Sequence, residues 1–211
     1  DSLREHPSDI LDYFREKTPY IDKIISGEGE LLFLKFLRGE LQGTPKIVTL
    51  RDIGEENLDI RQKGLPDLSD FPISFYPCLG EAASVSCPFQ CNFCSETVYF
   101  GKYIKKSPRQ VFREMATLYQ RYGRQLVTMT DSLLNPVISD LAGGFLESEF
   151  TMYWDGCLRV GKDVDDVENT WQWRRGGFYN ANLGIESGSQ RVLDLMNKGI
   201  QTTQSKRALQ A

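Results

Sequence analysis

Long apolar runs are missing from this 211-residue chain. None approaches the ~20 residues of a membrane-spanning helix, and the opening DSLREHPSDI has neither a basic leader nor an apolar segment. Transmembrane and secreted readings are therefore disfavoured, and a cytoplasmic location is expected. Basic residues are outnumbered, 25 Lys plus Arg against 29 Asp plus Glu, for a formal charge of −4. No basic block suited to neutralising phosphates occurs, so nucleic acid is not an expected partner. Histidine is almost absent, the single His6 lying far upstream of every cysteine. Cysteine is scarce, odd in number and clustered: of five, Cys87, Cys91 and Cys94 fall within eight residues, while Cys78 and Cys157 stand apart. That argues against a disulfide framework and for a reducing compartment with a metal or cluster site. With 40% apolar and 26% charged residues the composition is that of an ordinary globular protein, which buries roughly 70% of its unfolded surface without staples.

Starting at Asp1 without Met and stopping at Ala211 inside a helical pattern, the chain is expected to be a piece of a longer protein. Residues 1–41 show a helical pattern with polar punctuation, through IDKIIS, the Gly27-Glu28-Gly29-Glu30 stretch and the apolar LLFLKFL, and look like the end of one unit. Residues 42–77, with Pro45, Pro66, Pro72 and the charged RDIGEENLDIRQK, fit an extended linker better than a packed element.

From residue 78 strand and helix signals alternate. AASVS (82–86) predicts a first strand feeding straight into the cysteine loop. Ser107-Pro108-Arg109-Gln110 reads as N-cap, proline at N1 and the glutamine of a capping box. The helix behind it carries Val111, Phe112, Met115, Leu118, Tyr119 and Tyr122 at helical spacing and ends before Gly123. QLVTMT (125–130) predicts strand two, 136–146 a helix weakened by Gly143-Gly144, FTMYWD (150–155) strand three, and 163–175 helix three. In FYNANLGIE (178–186), Tyr179, Ala181, Leu183 and Ile185 alternate with Asn180, Asn182, Gly184 and Glu186, and Ser189 caps a final helix. Four strand–helix units predict an α/β fold with a parallel sheet, and the polar face of strand four suits a lumen. The expected architecture is an incomplete α/β barrel over residues 78–211.

Cys87-Pro-Phe-Gln-Cys91-Asn-Phe-Cys94 is the central signal. Three thiolates in one loop hold three corners of an iron–sulfur cube and leave the fourth iron open to a substrate. Structural zinc wants four ligands; it stays open if Cys78 joins. Cys157 reads as a small buried hydrophobe.

CxxxCxxC placed after the first barrel strand resembles the radical S-adenosylmethionine (SAM) superfamily. The resemblance implies a 4Fe-4S cluster on Cys87, Cys91 and Cys94 that chelates SAM, reduces its sulfonium and yields a 5′-deoxyadenosyl radical. Phe93 then stands where a side chain commonly lies near the adenine, packing under the loop being the alternative. GIESGS with VLDLMNKG (184–199) is similar to the branch of that superfamily carrying an N-terminal cobalamin-binding domain. There Glu186, Ser187 and Ser189 are implied at the SAM ribose or methionine moiety, Ser189 otherwise serving as a plain N-cap. Asp131 and Asn135 in TDSLLN are implied near the SAM amino group or the substrate, or else as caps of the second helix. Simpler members carry Gly-Gly-Glu there, which this chain lacks. Trp154-Asp-Gly-Cys-Leu-Arg159 matches the branch's W-x-G-x-x-R, with Arg159 toward a carboxylate and Trp154 either walling the lumen or packing in the core. Tyr20 to Glu30 resembles the tail of the cobalamin domain, although the base-off histidine motif DxHxxG is not in this chain.

The resemblance implies an incomplete radical SAM (β/α) barrel preceded by a cobalamin-domain tail and a linker, and an enzyme. The implied reaction is cobalamin-dependent methyl transfer to, or other radical modification of, an unactivated carbon in a small-molecule or peptide substrate. A one-electron reductant such as flavodoxin or ferredoxin would serve it, and this piece alone need not be active. Two alternatives stand beside it: a methylthiotransferase-type radical SAM enzyme, and a non-catalytic zinc or iron–sulfur module completed by Cys78.

Overall fold

The computed structural model describes residues 17–56 and 58–211; His6, with the rest of 1–16, lies outside the described residues. The chain divides into two compact units, residues 1–59 and 60–211.

In the first unit a two-residue strand β1 (Ile24–Ile25) pairs in parallel with β2 (Ile47–Val48), and helix α1 (Glu30–Leu37) connects them. Leu32, Leu41, Val48 and Leu50 form its core. Two expectations are corrected here. Within IDKIIS, Ile24–Ile25 is strand, since two adjacent β-branched isoleucines favour extended backbone. The stretch read as a linker from residue 42 is packed at 47–53, where β2 and a 3-10 turn bury Val48 and Leu50. Proline and charge flank these few apolar residues and mask them in the sequence.

The second unit is built on a four-stranded parallel sheet in the order β3 (Leu79–Glu81), β6 (Leu126–Met129), β7 (Tyr153–Arg159), β8 (Phe178–Gly184). After the short helix α2 (Glu96–Tyr99), helices α3 (Pro108–Tyr122), α4 (Asn135–Leu146) and α5 (Val167–Arg175) link successive strands, and the core is one cluster of sheet and helix side chains. Val111, Met115, Val127, Ile138, Leu141, Trp154 and Trp173 are all buried within it. Along β7 the pattern alternates: Trp154, Gly156 and Leu158 are buried toward this core, while Tyr153, Asp155, Cys157 and Arg159 are the more exposed set. Register places Asp155 opposite Asn180, Cys157 opposite Asn182 and Arg159 opposite Gly184. The polar residues of the two strands therefore share a face, as a barrel wall with a lumen requires.

Several boundaries move. The first barrel strand is Leu79–Glu81, whereas Ser84–Val85 is strand β4, paired antiparallel with β5 (Ile104–Lys105) outside the main sheet. Strand three continues through Arg159 and does not end at Asp155. Tyr179 is skipped between the Trp154–Phe178 and Asp155–Asn180 pairs, so it is a bulge residue, and its hydroxyl donates to Asp155 at 3.4 Å. Helix α3 begins and ends where the sequence predicts, with Ser107 Oγ accepting from Gln110 N and Gly123 at φ 64 closing it. The second arm of the capping box is not made, because the Gln110 amide donates instead to Arg61 O and Glu114. The single final helix is two, α6 (Gln190–Leu195) and α7 (Thr202–Ala208), broken where Asn197 and Gly199 take positive φ. Ser189 occupies the N-cap position of α6, but its hydroxyl caps nothing. Trp154 is core, fully buried with Nε1 donating to Gly176 O.

Candidate active site

The cysteine loop hangs from the β4–β5 hairpin, beyond the carboxyl end of β3, where barrel enzymes place their chemistry. Its root is fastened twice. Ser86, at φ 67, donates its hydroxyl to Gly101 O at 2.7 Å and joins the two ends of the loop. Asp131, at the end of β6, accepts from Ala83 N at 2.9 Å and from Ser84 Oγ at 2.5 Å. A buried triad adds to this: Lys106, next to β5, donates at 2.8 Å to both Glu81 and Glu114. At the far side the loop meets the segment after α6, with Asn92 N donating to Met196 O at 2.9 Å and Asn197 Nδ2 to Gln90 O at 2.8 Å. The two stretches that carry the resemblance, Cys87–Cys94 and Gly184–Gly199, thus touch.

Between them lies a cavity of about 590 Å³ lined by Cys87, Cys91 and Cys94, by Phe89 and Phe93, and by Arg159, Glu186 and Lys198. Glu96, Ser132 and Cys157 complete the side toward β6 and β7, with Ser132 Oγ donating to Glu96 at 2.5 Å. This volume is in the range of small-molecule and cofactor pockets. Lys198 is buried; its amine donates to Glu186 Oε1 at 2.8 Å and stands 5.7 Å from the Phe93 ring centroid. The Arg159 guanidinium carbon is 3.8 Å from the Phe89 centroid, Nη1 is 3.8 Å from Cys91 Sγ, and Nη2 donates to Lys198 O. Burial pushes the Cys87 thiol up, and Cys94 and Cys91 add to the rise, while the Phe89 backbone N–H and the Arg159 charge pull it down.

The structure brings together six residues singled out in the sequence: Cys87, Cys91, Cys94, Phe93, Arg159 and Glu186. The other four are placed otherwise. Asp131 is buried beneath the loop with both oxygens engaged, and burial raises its carboxyl against the hydrogen bonds of Ser84 and Ala83. Asn135 is spent on Arg159, accepting from its backbone N at 2.8 Å and donating to its O at 3.0 Å. Neither caps α4, whose N-cap is Leu134. Ser187 Oγ accepts from Ser189 N, and neither serine lines the cavity. Cys157 is not a buried hydrophobe but an exposed residue lining the cavity, its thiol pushed up by partial desolvation and by the charges of Asp155 and Asp131. Cys78 stands outside the cavity, before β3, accepting from Thr128 Oγ1 at 3.4 Å. Lys198 was missed: its signal is a lone lysine in a helix-breaking Asn-Lys-Gly, which carries no mark of burial.

Among the described residues, no three His, Cys, Asp or Glu side chains converge closely enough to hold one metal ion. A cubane asks for less convergence, because each thiolate takes a different iron. None of the five cysteines is in a disulfide. Three thiols facing one cavity, beside the cations of Arg159 and Lys198, fit a sulfur-rich anionic group.

No protein-family model matches the chain. Solved structures do: a cobalamin-dependent S-adenosylmethionine radical enzyme, OxsB, with aqua-cobalamin and S-adenosylmethionine bound, superposes with a TM-score of 0.69 over 96% of this chain and 33% of its own, at 21% identity. The chain shares this neighbour's fold over nearly its whole length. Curated relatives agree in sequence. An uncharacterized methyltransferase, PH0819, of Pyrococcus horikoshii is 27% identical over 89% of this chain. An anaerobic magnesium-protoporphyrin IX monomethyl ester cyclase of Synechocystis is 26% identical over 97% of it. The chain spans 45% and 44% of the length of these two proteins. The resemblance to cobalamin-dependent radical SAM enzymes therefore holds, and the partial barrel matches about a third of the solved neighbour's fold. Among the described residues no helix is long and apolar enough to cross a membrane.

Proposed function

We propose that this chain carries the cluster and SAM site of a radical SAM enzyme, with Cys87, Cys91 and Cys94 holding a 4Fe-4S cluster. The observation that carries this is the joining of the three-thiol loop to Lys198, Glu186 and Phe93 around one cavity. Held by these three thiolates, a cluster would supply the one-electron reduction of the SAM sulfonium that releases methionine and a 5′-deoxyadenosyl radical. The electron comes from a donor of the flavodoxin or ferredoxin class.

The chain's own residues do the holding. Phe93, half exposed, offers a ring face to the adenine. Lys198 brings a buried cation to the ligand's carboxylate, and Glu186, already hydrogen-bonded to it, accepts from the amino group or a ribose hydroxyl. Asp131 and Asn135 position the site from beneath, through the loop root and through Arg159. Cobalamin belongs to the reading through the solved neighbours. The reaction class is methyl transfer to, or another radical modification of, an unactivated carbon in a small molecule or peptide.

Anaerobic reconstitution with iron and sulfide, then incubation with SAM and a strong reductant, tests this by mass spectrometry of the products. 5′-Deoxyadenosine is expected from the native chain and from Cys78→Ala, and none from Cys94→Ala. Equal product from the Cys94 variant, or a native chain that loads no iron, would contradict it.

A further inference from the structure

Arg159 reaches the cavity from the end of β7 and is held on every side. Asn135 grips its backbone N and O, the Phe89 ring lies under its guanidinium carbon at 3.8 Å, and Nη2 donates to Lys198 O. Its Nη1 is directed at Cys91 Sγ, 3.8 Å away, within range for an N–H···S hydrogen bond. A guanidinium so engaged is poorly placed to turn toward a ligand carboxylate, the role its motif implies.

We propose that Arg159 tunes the cluster: its Nη1–H donates to the Cys91 sulfur and raises the reduction potential of the iron–sulfur group held by this loop. The inference rests on the cluster reading above. Three thiolates and a cubane carry net negative charge, and uptake of one electron from an external reductant makes it more negative. A hydrogen bond and a full positive charge at one ligand sulfur stabilise the reduced state more than the oxidised one. Arginine suits the task because its fork anchors one nitrogen on a carbonyl while the other donates, and because it keeps its proton at every working pH. The site is part-buried, so salt screens the effect weakly.

The test is a redox titration of the reconstituted full chain, followed by electron paramagnetic resonance without SAM, for the native chain, Arg159→Gln and Arg159→Lys. Omitting SAM separates tuning from ligand binding. Arg159→Gln is expected to lower the reduced-to-oxidised ratio at fixed potential about tenfold, equivalent to about 59 mV for a one-electron couple. Arg159→Lys, which keeps the charge and loses the fork, should fall between. If the Gln variant fails to load iron, the Lys variant carries the comparison. Unchanged midpoints in the loaded variants, or loss of the cluster from both while the apo fold persists, overturn the tuning role. A native chain that assembles no cluster overturns the cluster reading and this inference with it.

Discussion

At the scale of single residues, the motif identifies thiols well and supports poorly. CxxxCxxC marks three thiols that the fold brings to one cavity, because residue type and spacing are read directly off the chain. Asp131 shows the opposite: the same aspartate in the same motif is a ligand contact or a buried post depending on what the fold sets beside it, here Ala83 N and Ser84 Oγ. Lys198 is invisible for the same reason, since its burial and its Glu186 partner come from the docking of distant segments. Asp131→Ala should cost about 1–3 kcal/mol by leaving the Ala83 N–H unsatisfied, read by urea unfolding of the apo chain. A pH series gives a second check. The folded Asp131 holds its proton to higher pH than the ordinary 3.8 of the unfolded chain. Its contribution to stability is therefore complete below about pH 3.8 and is lost as pH rises through the folded value. Asp131→Asn, neutral throughout, should lose less stability than the native chain across that window; an identical pH dependence would contradict the assignment.

Among the elements, helices were the legible part. α3 is marked by its serine cap, its N1 proline and its terminal glycine, and these local signals survive tertiary packing. The first strand was not legible, because Leu79–Glu81 is three residues ending in a buried glutamate, while the small-residue AASVS next to it looks more strand-like. That glutamate is buried only because Lys106 and Glu114 meet it. Burial raises Glu81 despite the pull of Lys106, and it lowers Lys106 less than Glu114 and Glu81 raise it. Lys106→Met leaves two facing carboxylates without a cation and should cost about 3–5 kcal/mol, measured by chemical unfolding. The hairpin that carries the cysteine loop should loosen with it, seen as faster amide exchange at 84–106. Gly177 is equally committed: at φ +92, any Cβ would collide with the Met152 carbonyl oxygen. Gly177→Ala should therefore destabilise the α5–β8 junction, with a lower thermal midpoint and no compensating gain.

For the whole molecule, order along the chain predicts more than shape does. Alternating strand and helix, with a polar face on the fourth strand, pointed to a parallel barrel wall, and the sheet β3-β6-β7-β8 has that form. The limits of the first unit were harder to read because, among the described residues, its core cluster is four buried side chains spread over residues 32–50. Every residue lining the site cavity lies between 87 and 198, inside the second unit. Residues 60–211 expressed alone should therefore bind iron and sulfide in the same ratio as the full chain; a loss of binding would show that the first unit contributes to the site. The central claim is an iron–sulfur cluster with one iron open to SAM, and it is tested most directly by electron paramagnetic resonance of the reconstituted, reduced chain before and after SAM is added. A cubane signal that changes shape with SAM is the predicted result. Stoichiometric zinc with no cluster, or a cluster signal indifferent to SAM, would contradict it.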